Sequence, residues 1–227
     1  PIEPSHDFLG EINCRYAIFA TGGIGRVYEY TTNSAIATGD GITIAHELGA
    51  EIKNLSYIQF HPTGFNNKHT RETFLISESV RGEGAYLKNC NGERFMQNYD
   101  DRLELAPRDV VSHAIMAEAK KTGSDKFYLD ITHKDPEFVR NRFPMINEKL
   151  LEAGYDMTKD MIPIFPCHHY LMGGINVDTY ARTNIDRLYA CGECSHTGVH
   201  GNSDLLRLGA ACRRARQPLP CHGLLPR

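Results

Sequence analysis

The residues able to do chemistry in this chain fall in a few short stretches. Ile58-Gln59-Phe60-His61-Pro62-Thr63 carries a histidine, and Ser77-Glu78-Ser79-Val80-Arg81-Gly82-Glu83-Gly84 carries a carboxylate three residues before an arginine. Leu105-Ala106-Pro107-Arg108-Asp109 adds a second arginine, and His168-His169-Tyr170-Leu171-Met172-Gly173-Gly174 sets a further histidine beside a glycine turn. These groups suit anion binding and proton movement, and His61, Glu78, Arg81 and Arg108 are close enough in sequence to converge on a small dicarboxylate. The combination points to an enzyme. A guanidinium carries fixed, forked donors that match a carboxylate. Its pKa above about 12 makes it a poor proton acceptor at neutral pH, so Arg108 reads more readily as an anchor than as a base.

The elements that must hold these residues alternate between strand and helix patterns. Arg15 to Ala20 is a short apolar run ending in Thr21-Gly22-Gly23-Ile24-Gly25, the pattern of a buried strand entering a tight glycine turn. Such a turn lets backbone approach a phosphate or a flavin closely. Asn33 to Leu48 passes through Thr38-Gly39-Asp40-Gly41 into apolar residues at helical spacing, which places Asp40 and Gly41 at the mouth of a helix. Between Glu51 and His61 a strand-like stretch delivers His61 at its end, with Pro62 excluding helix there. Asn91-Gly92 predicts a hairpin turn, and Pro107 opens a helix with Val110, Val111, Ala114, Ile115 and Glu118 on one side. Phe127 to Ile131 predicts a strand, Pro136 to Ala153 a helix, and Arg187 to Ala190 a strand running into Cys191-Gly192-Glu193. Two strand-to-glycine-turn units therefore bracket a central mixed stretch, the layout of a nucleotide-binding domain interrupted by an inserted one.

Composition narrows the partners. The chain has 227 residues, 41% of them hydrophobic, and a net charge of −3 with no long run of one sign, so nucleic acid is not expected as a partner. No apolar run approaches the roughly 18 to 20 residues needed to span a bilayer, which predicts a cytoplasmic protein without a membrane span. The seven cysteines are scattered and odd in number, which fits free thiols. Cys191-Gly192-Glu193-Cys194 has the spacing of a redox or zinc pair, but its nearby candidate second ligands are His196 and His200, and small buried or turn residues are the preferred reading.

Taken in order, these motifs resemble the flavoprotein family that groups L-aspartate oxidases with the flavoprotein subunits of succinate dehydrogenase and fumarate reductase. The resemblance runs from about Arg15 to Gly201. Arg81 to Leu87, Glu104 to Asp109, Gly174 to Asp178 and Thr197 to Gly201 tilt it toward the aspartate oxidase branch. It implies a fold of mixed α/β and α+β class, a partial, three-layer, Rossmann-like FAD-binding domain interrupted by a capping domain. The implied division is 1–54 and 169–201 for the FAD-binding segments, 55–168 for the cap, and 202–227 for an aberrant or disordered tail. The implied cofactor is FAD, contacted by Gly22, Gly23, Asp40 and Glu193, the last at a ribose hydroxyl.

His61, Ser77 and His169 would bind the substrate. Arg108 would be the catalytic proton donor or acceptor, with Glu78 and Arg81 as its proton path. The implied reaction is oxidation of L-aspartate to iminosuccinate with oxygen or fumarate as acceptor, the first step of NAD biosynthesis, functionally linked to quinolinate synthase. A succinate dehydrogenase or fumarate reductase subunit is the alternative, and a catalytically inactive fragment another. The family's N-terminal GxGxxG turn has no counterpart before Pro1, and Asn202-Ser203-Asp204-Leu205-Leu206 stands where a substrate-binding arginine is expected, so the chain itself is expected to be inactive. Singly, each residue also has an ordinary use: a hydrogen-bonded structural histidine, a surface pair of Glu78 with Arg81, or a plain glycine turn.

Overall fold

The computed structural model describes residues 10–66 and 72–199. His200, Gly201 and the tail expected to be aberrant lie outside the described residues. Strand β1 (Ala17–Phe19) runs parallel to β8 (Leu188–Ala190), Ala17 opposite Leu188 and Phe19 opposite Ala190. Each strand leads into a glycine with positive φ, Gly22 at 77° and Gly192 at 74°, where a side chain would be strained. The parallel pairing thus joins the two strand-to-glycine units that the sequence holds far apart. Helix α1 (Asp40–Glu47) follows Gly39 at φ 85° and buries Gly41, Ile42 and Ala45. A three-stranded sheet of β2 (Ile52–Lys53), β7 (Gly174–Asn176) and β9 (Ser195–His196) lies alongside. Its core contains Ile42, Ala45, Ile58, Phe60, Leu171, Ile175 and Ala190.

A second core forms over a four-stranded antiparallel sheet in the order β3 (Ile58–Phe65), β6 (Ile162–Leu171), β5 (Phe127–Asp130), β4 (Tyr86–Lys88). Four helices belong to it: α2 (Glu78–Gly82), α3 (Arg108–Thr122), α4 (Pro136–Arg142) and α5 (Pro144–Glu152). Ile76, Val80, Leu87, Phe95, Val111, Ile115, Phe127, Leu129 and Ile164 are buried together there. Parallel pairs β1–β8 and β7–β9 in one part, beside the antiparallel β2–β7 pair, and a wholly antiparallel sheet in the other give the mixed α/β and α+β class.

Two local expectations need correction. The helix expected over Pro136 to Ala153 is two helices that meet at Phe143 and Pro144, because Pro144 lacks the N–H an interior turn needs but suits a new first turn. The strand carrying His61 does not end there; β3 runs on to Phe65 through Pro62, which a register shift between His61 and Gly64 accommodates. Strand β6 has no counterpart among the elements read from the sequence, because Pro163 and Pro166 break its apolar pattern.

Candidate active site

Strands β3 and β6 bring the two histidine motifs together, and irregular pairing aims their side chains. Gln59 opposes Tyr170 while Phe60 opposes His168, so His169 is the extra residue of a bulge. A bulge bends the strand and redirects the residue it leaves unpaired. The His169 ring meets that of His61 edge to face, with centroids 5.6 Å apart. His61 is 1% exposed and its Nδ1 accepts from the backbone N–H of Thr63 at 3.3 Å. The Thr63 hydroxyl donates to the Ile76 carbonyl at 2.7 Å, tying this strand to the segment that enters α2. On the other side Tyr30 to Thr32 run beside β6, with the Thr32 N–H on the His168 carbonyl at 2.9 Å and the Thr32 hydroxyl 2.8 Å from His169 Nδ1.

The arginines enter from α2 and α3. Ser77 caps α2, accepting from the Ser79 N–H, which sets Glu78 in the first turn. The Glu78 carboxylate then bridges both arginines: Arg81 Nη2 donates to Oε1 at 3.1 Å and Arg108 Nε to Oε2 at 2.8 Å. Arg81 is no surface residue. It is 1% exposed, and its Nη1 donates to the carbonyls of Glu104 and Ala106, the turn that leads into α3. Within that turn Leu103 has φ 55°, a conformation that costs a non-glycine residue about 1–3 kcal/mol and persists only where neighbours impose it. The Glu104 carboxylate, itself buried, binds Arg94 through two donors and the Leu87 N–H at 3.2 Å. Arg108 Nη1 reaches Gln59 Oε1 at 3.3 Å, which connects α3 to the histidine strand.

Electrostatics follow from this crowding of cations. Burial, with Arg108, His169 and Arg81 nearby, holds the His61 imidazole down to about 2, so the ring is neutral. Burial and Arg108 also lower His169. The cluster therefore offers one partly exposed guanidinium and two neutral imidazoles to an anion. Of the expected substrate and catalytic residues, His61, His169, Glu78, Arg81 and Arg108 are linked by these contacts, and Ser77 adjoins Glu78. Gln59, Thr32, Thr63 and Glu104 complete the arrangement without having been singled out in the sequence. Gln59 and Thr63 flank His61 in its motif, but Thr32 reaches His169 only through the pairing of its segment with β6.

The residues expected to hold the flavin form a neighbouring group. A Cβ at Gly23 would lie 2.2 Å from Glu193 Oε1, and one at Gly41 would lie 2.0 Å from Thr21 Oγ1, so a side chain at either position would displace its neighbour. Asp40 is exposed at the start of α1, where Thr38 donates to it at 2.9 Å. Glu193 Oε1 accepts the Leu171 N–H at 2.8 Å, and partial burial raises the pKa of its carboxyl. Gly173 packs against the Asn54 carbonyl and Gly174 against that of Cys194, tying the two flanking segments together. Cys194 is buried with its thiol on the Phe19 and Cys191 carbonyls, whereas Cys191 is exposed.

The model of the family described as "FAD binding domain" matches residues 10–206. The L-aspartate oxidase of Yersinia pestis is 53% identical over 184 residues, 81% of this chain and 34% of that protein. That of Clostridium perfringens is 51% identical over 195 residues, 86% of this chain and 43% of that protein. Among solved structures, an E. coli quinol fumarate reductase superposes with a TM-score of 0.76 at 38% identity, covering 84% of this chain and 35% of that one. The chain thus spans well under half the length of the relatives it matches.

Proposed function

This chain belongs to the FAD binding domain family, and we propose that it carries the substrate cleft of an FAD-dependent oxidase converting L-aspartate to iminosuccinate with oxygen or fumarate as acceptor. The observation that carries this reading is the Glu78-bridged pair of Arg81 and Arg108 linked through Gln59 to the strand that holds His61 beside His169. A cluster of neutral and cationic donors fits a dianion of four carbons. His61, His169 and Ser77 would bind its carboxylates and Arg108 would grip it; when fumarate is the acceptor, Arg108 would also give it a proton that Glu78 and Arg81 resupply. The family division into flavin segments 1–54 and 169–201 around a cap over 55–168 would put this cleft at the junction.

The residues fit a flavin. Gly22, Gly23 and Asp40 would let backbone approach it, and a half-buried Glu193 with one oxygen left open among the described residues would accept from a ribose hydroxyl. FAD, when bound, supplies the hydride acceptor. No helix among the described residues is long and apolar enough to cross a membrane. A cytoplasmic enzyme passing its product to quinolinate synthesis is the corresponding cellular reading.

A second reading, succinate or fumarate chemistry, is favoured by the likeness to the fumarate reductase fold. The deciding experiment assays a protein of the relatives' length carrying this chain's residues with aspartate and with succinate, following peroxide release and dye reduction. Aspartate-dependent peroxide supports the oxidase. Succinate-driven dye reduction without aspartate turnover transfers the cleft to the second reading.

A further inference from the structure

Glu104 stands between two arginines and offers a different group to each. Its backbone carbonyl, with that of Ala106 at 3.2 Å, receives Arg81 Nη1. The residue is 4% exposed, and its carboxylate receives both prongs of Arg94, Nε at 2.8 Å on Oε1 and Nη2 on Oε2, together with the Leu87 N–H at 3.2 Å. A fork that meets a carboxylate in this way fixes orientation as well as distance. Arg94 is itself held: its backbone pairs with Lys88 across the Asn91-Gly92 turn, and its guanidinium lies 4.3 Å from the centre of the Tyr86 ring, which stacks on His133. The sheet edge at β4 is thereby tied to the turn at Leu103–Leu105. That turn does two things for the cleft. Its carbonyls seat Arg81 against Glu78, and its end, through Ala106 and Pro107, sets where α3 begins and so where Arg108 stands.

We propose that Arg94 is a positioning residue for the two cleft arginines: its fork fixes the turn that seats Arg81 and starts the helix of Arg108, and it occupies a carboxylate that would otherwise compete with Glu78 for Arg81. The catalytic consequence rests on the function proposed above; the positional one does not. The turn does not hold itself, since Leu103 at φ 55° keeps that conformation only where its surroundings impose it. Without Arg94 the described residues leave the Glu104 carboxylate a single neutral donor, the Leu87 N–H. A buried carboxylate in that state draws on the nearest cation. Arg81, whose Nη1 already touches the Glu104 backbone, is that cation, and any movement toward the carboxylate is movement away from Glu78.

Hydrogen exchange of the full chain, read peptide by peptide, tests the position. In Arg94→Met, which keeps a stem over Tyr86, the amides of 103–111 should exchange at least about tenfold faster while α5 keeps its protection. Arg94→Lys supplies a point charge in place of the fork and should fall between the two. Arg94→Met combined with Glu104→Gln removes the unpaired charge and should be better protected than Arg94→Met alone. Kinetics of the flavin-loaded, relative-length protein test the consequence. For fumarate reduction Arg94→Met should lower kcat at least about tenfold with KM changed less than about threefold, because a misplacement of about 1 Å can cost about a hundredfold in rate. The double variant should recover part of that kcat. Unchanged exchange over 103–111 overturns the proposal, as does faster exchange throughout the chain, which would make Arg94 a general structural residue. A double variant no better than Arg94→Met removes the competition for Arg81. If the unaltered relative-length protein turns over neither aspartate nor fumarate while 103–111 responds as stated, the proposed function fails and the positional inference stands.

Discussion

Replacing Arg81 by alanine separates a buried clamp from the surface pair that its three-residue spacing from Glu78 suggests. An exposed helix pair of that spacing is worth about 0.2–0.5 kcal/mol. Here the guanidinium is 1% exposed and donates to the Glu104 carbonyl, the Ala106 carbonyl at 3.2 Å and Glu78 Oε1 at 3.1 Å. Hydrogen bonds of a charged group contribute roughly 1.5–3 kcal/mol each, and the removed side chain leaves two carbonyls without this donor and the Glu78 carboxylate with Arg108 as its remaining cation. Desolvation works the other way: burial lowers the Arg81 pKa, and its Nε has no hydrogen-bond partner among the described residues. The net loss should be about 3–5 kcal/mol, the range for breaking a buried charge network. For a protein of this size that is a fall in Tm of roughly 6–20 °C. Arg81→Met, which refills the volume but not the hydrogen bonds, should recover less than half. Urea unfolding followed by circular dichroism measures both variants. A loss below about 1 kcal/mol for the alanine variant would refute the clamp and return Arg81 to the surface-pair account.

Burial holds His168 down to about 4, whereas an unfolded histidine titrates near 6.5. Below that value the unfolded chain takes up a proton the native chain refuses, so stability falls as pH drops from about 6.5 toward 4. His168→Phe, which keeps a ring against Tyr28, should remove about 2 kcal/mol of the loss between pH 7 and pH 5; an unaltered pH slope in urea unfolding contradicts this. Arg108→Leu in a relative-length protein should nearly abolish turnover while the protein stays yellow, and Lys should rescue poorly because it lacks the planar fork. Normal peroxide release in the leucine variant would remove Arg108 from the site. Gly23→Ala forces the Glu193 carboxylate away from its position, so flavin affinity should drop at least tenfold by fluorescence titration with the fold intact; unchanged affinity would free Glu193 from that role.

The amino-acid order alone determined the features governed by local rules. Glycine turns after β1 and β8 follow from apolar runs ending in residues that tolerate positive φ, and the start of α1 at Asp40 follows from the glycine and acid that precede its apolar face. The position of Arg108 at the head of α3 follows from Pro107. The motif order also carried the family, because several short segments of fixed residue type recur in one sequence.

What only the tertiary structure decided are the consequences of pairing between distant segments. The spacing of Glu78 and Arg81 is the same on a surface helix and in a core, and only the turn at Leu103–Leu105 closing over α2 made Arg81 a buried clamp. Pro163 and Pro166 obscured β6 because a proline pattern does not reveal which backbone groups a neighbouring strand leaves unneeded. The bulge that turns His169 toward His61 depends on register between strands far apart in the chain, and period-two alternation carries no trace of it. Thr32 becomes a partner of His169 for the same reason: nothing local marks a threonine whose hydroxyl meets its partner only after the sheet has assembled.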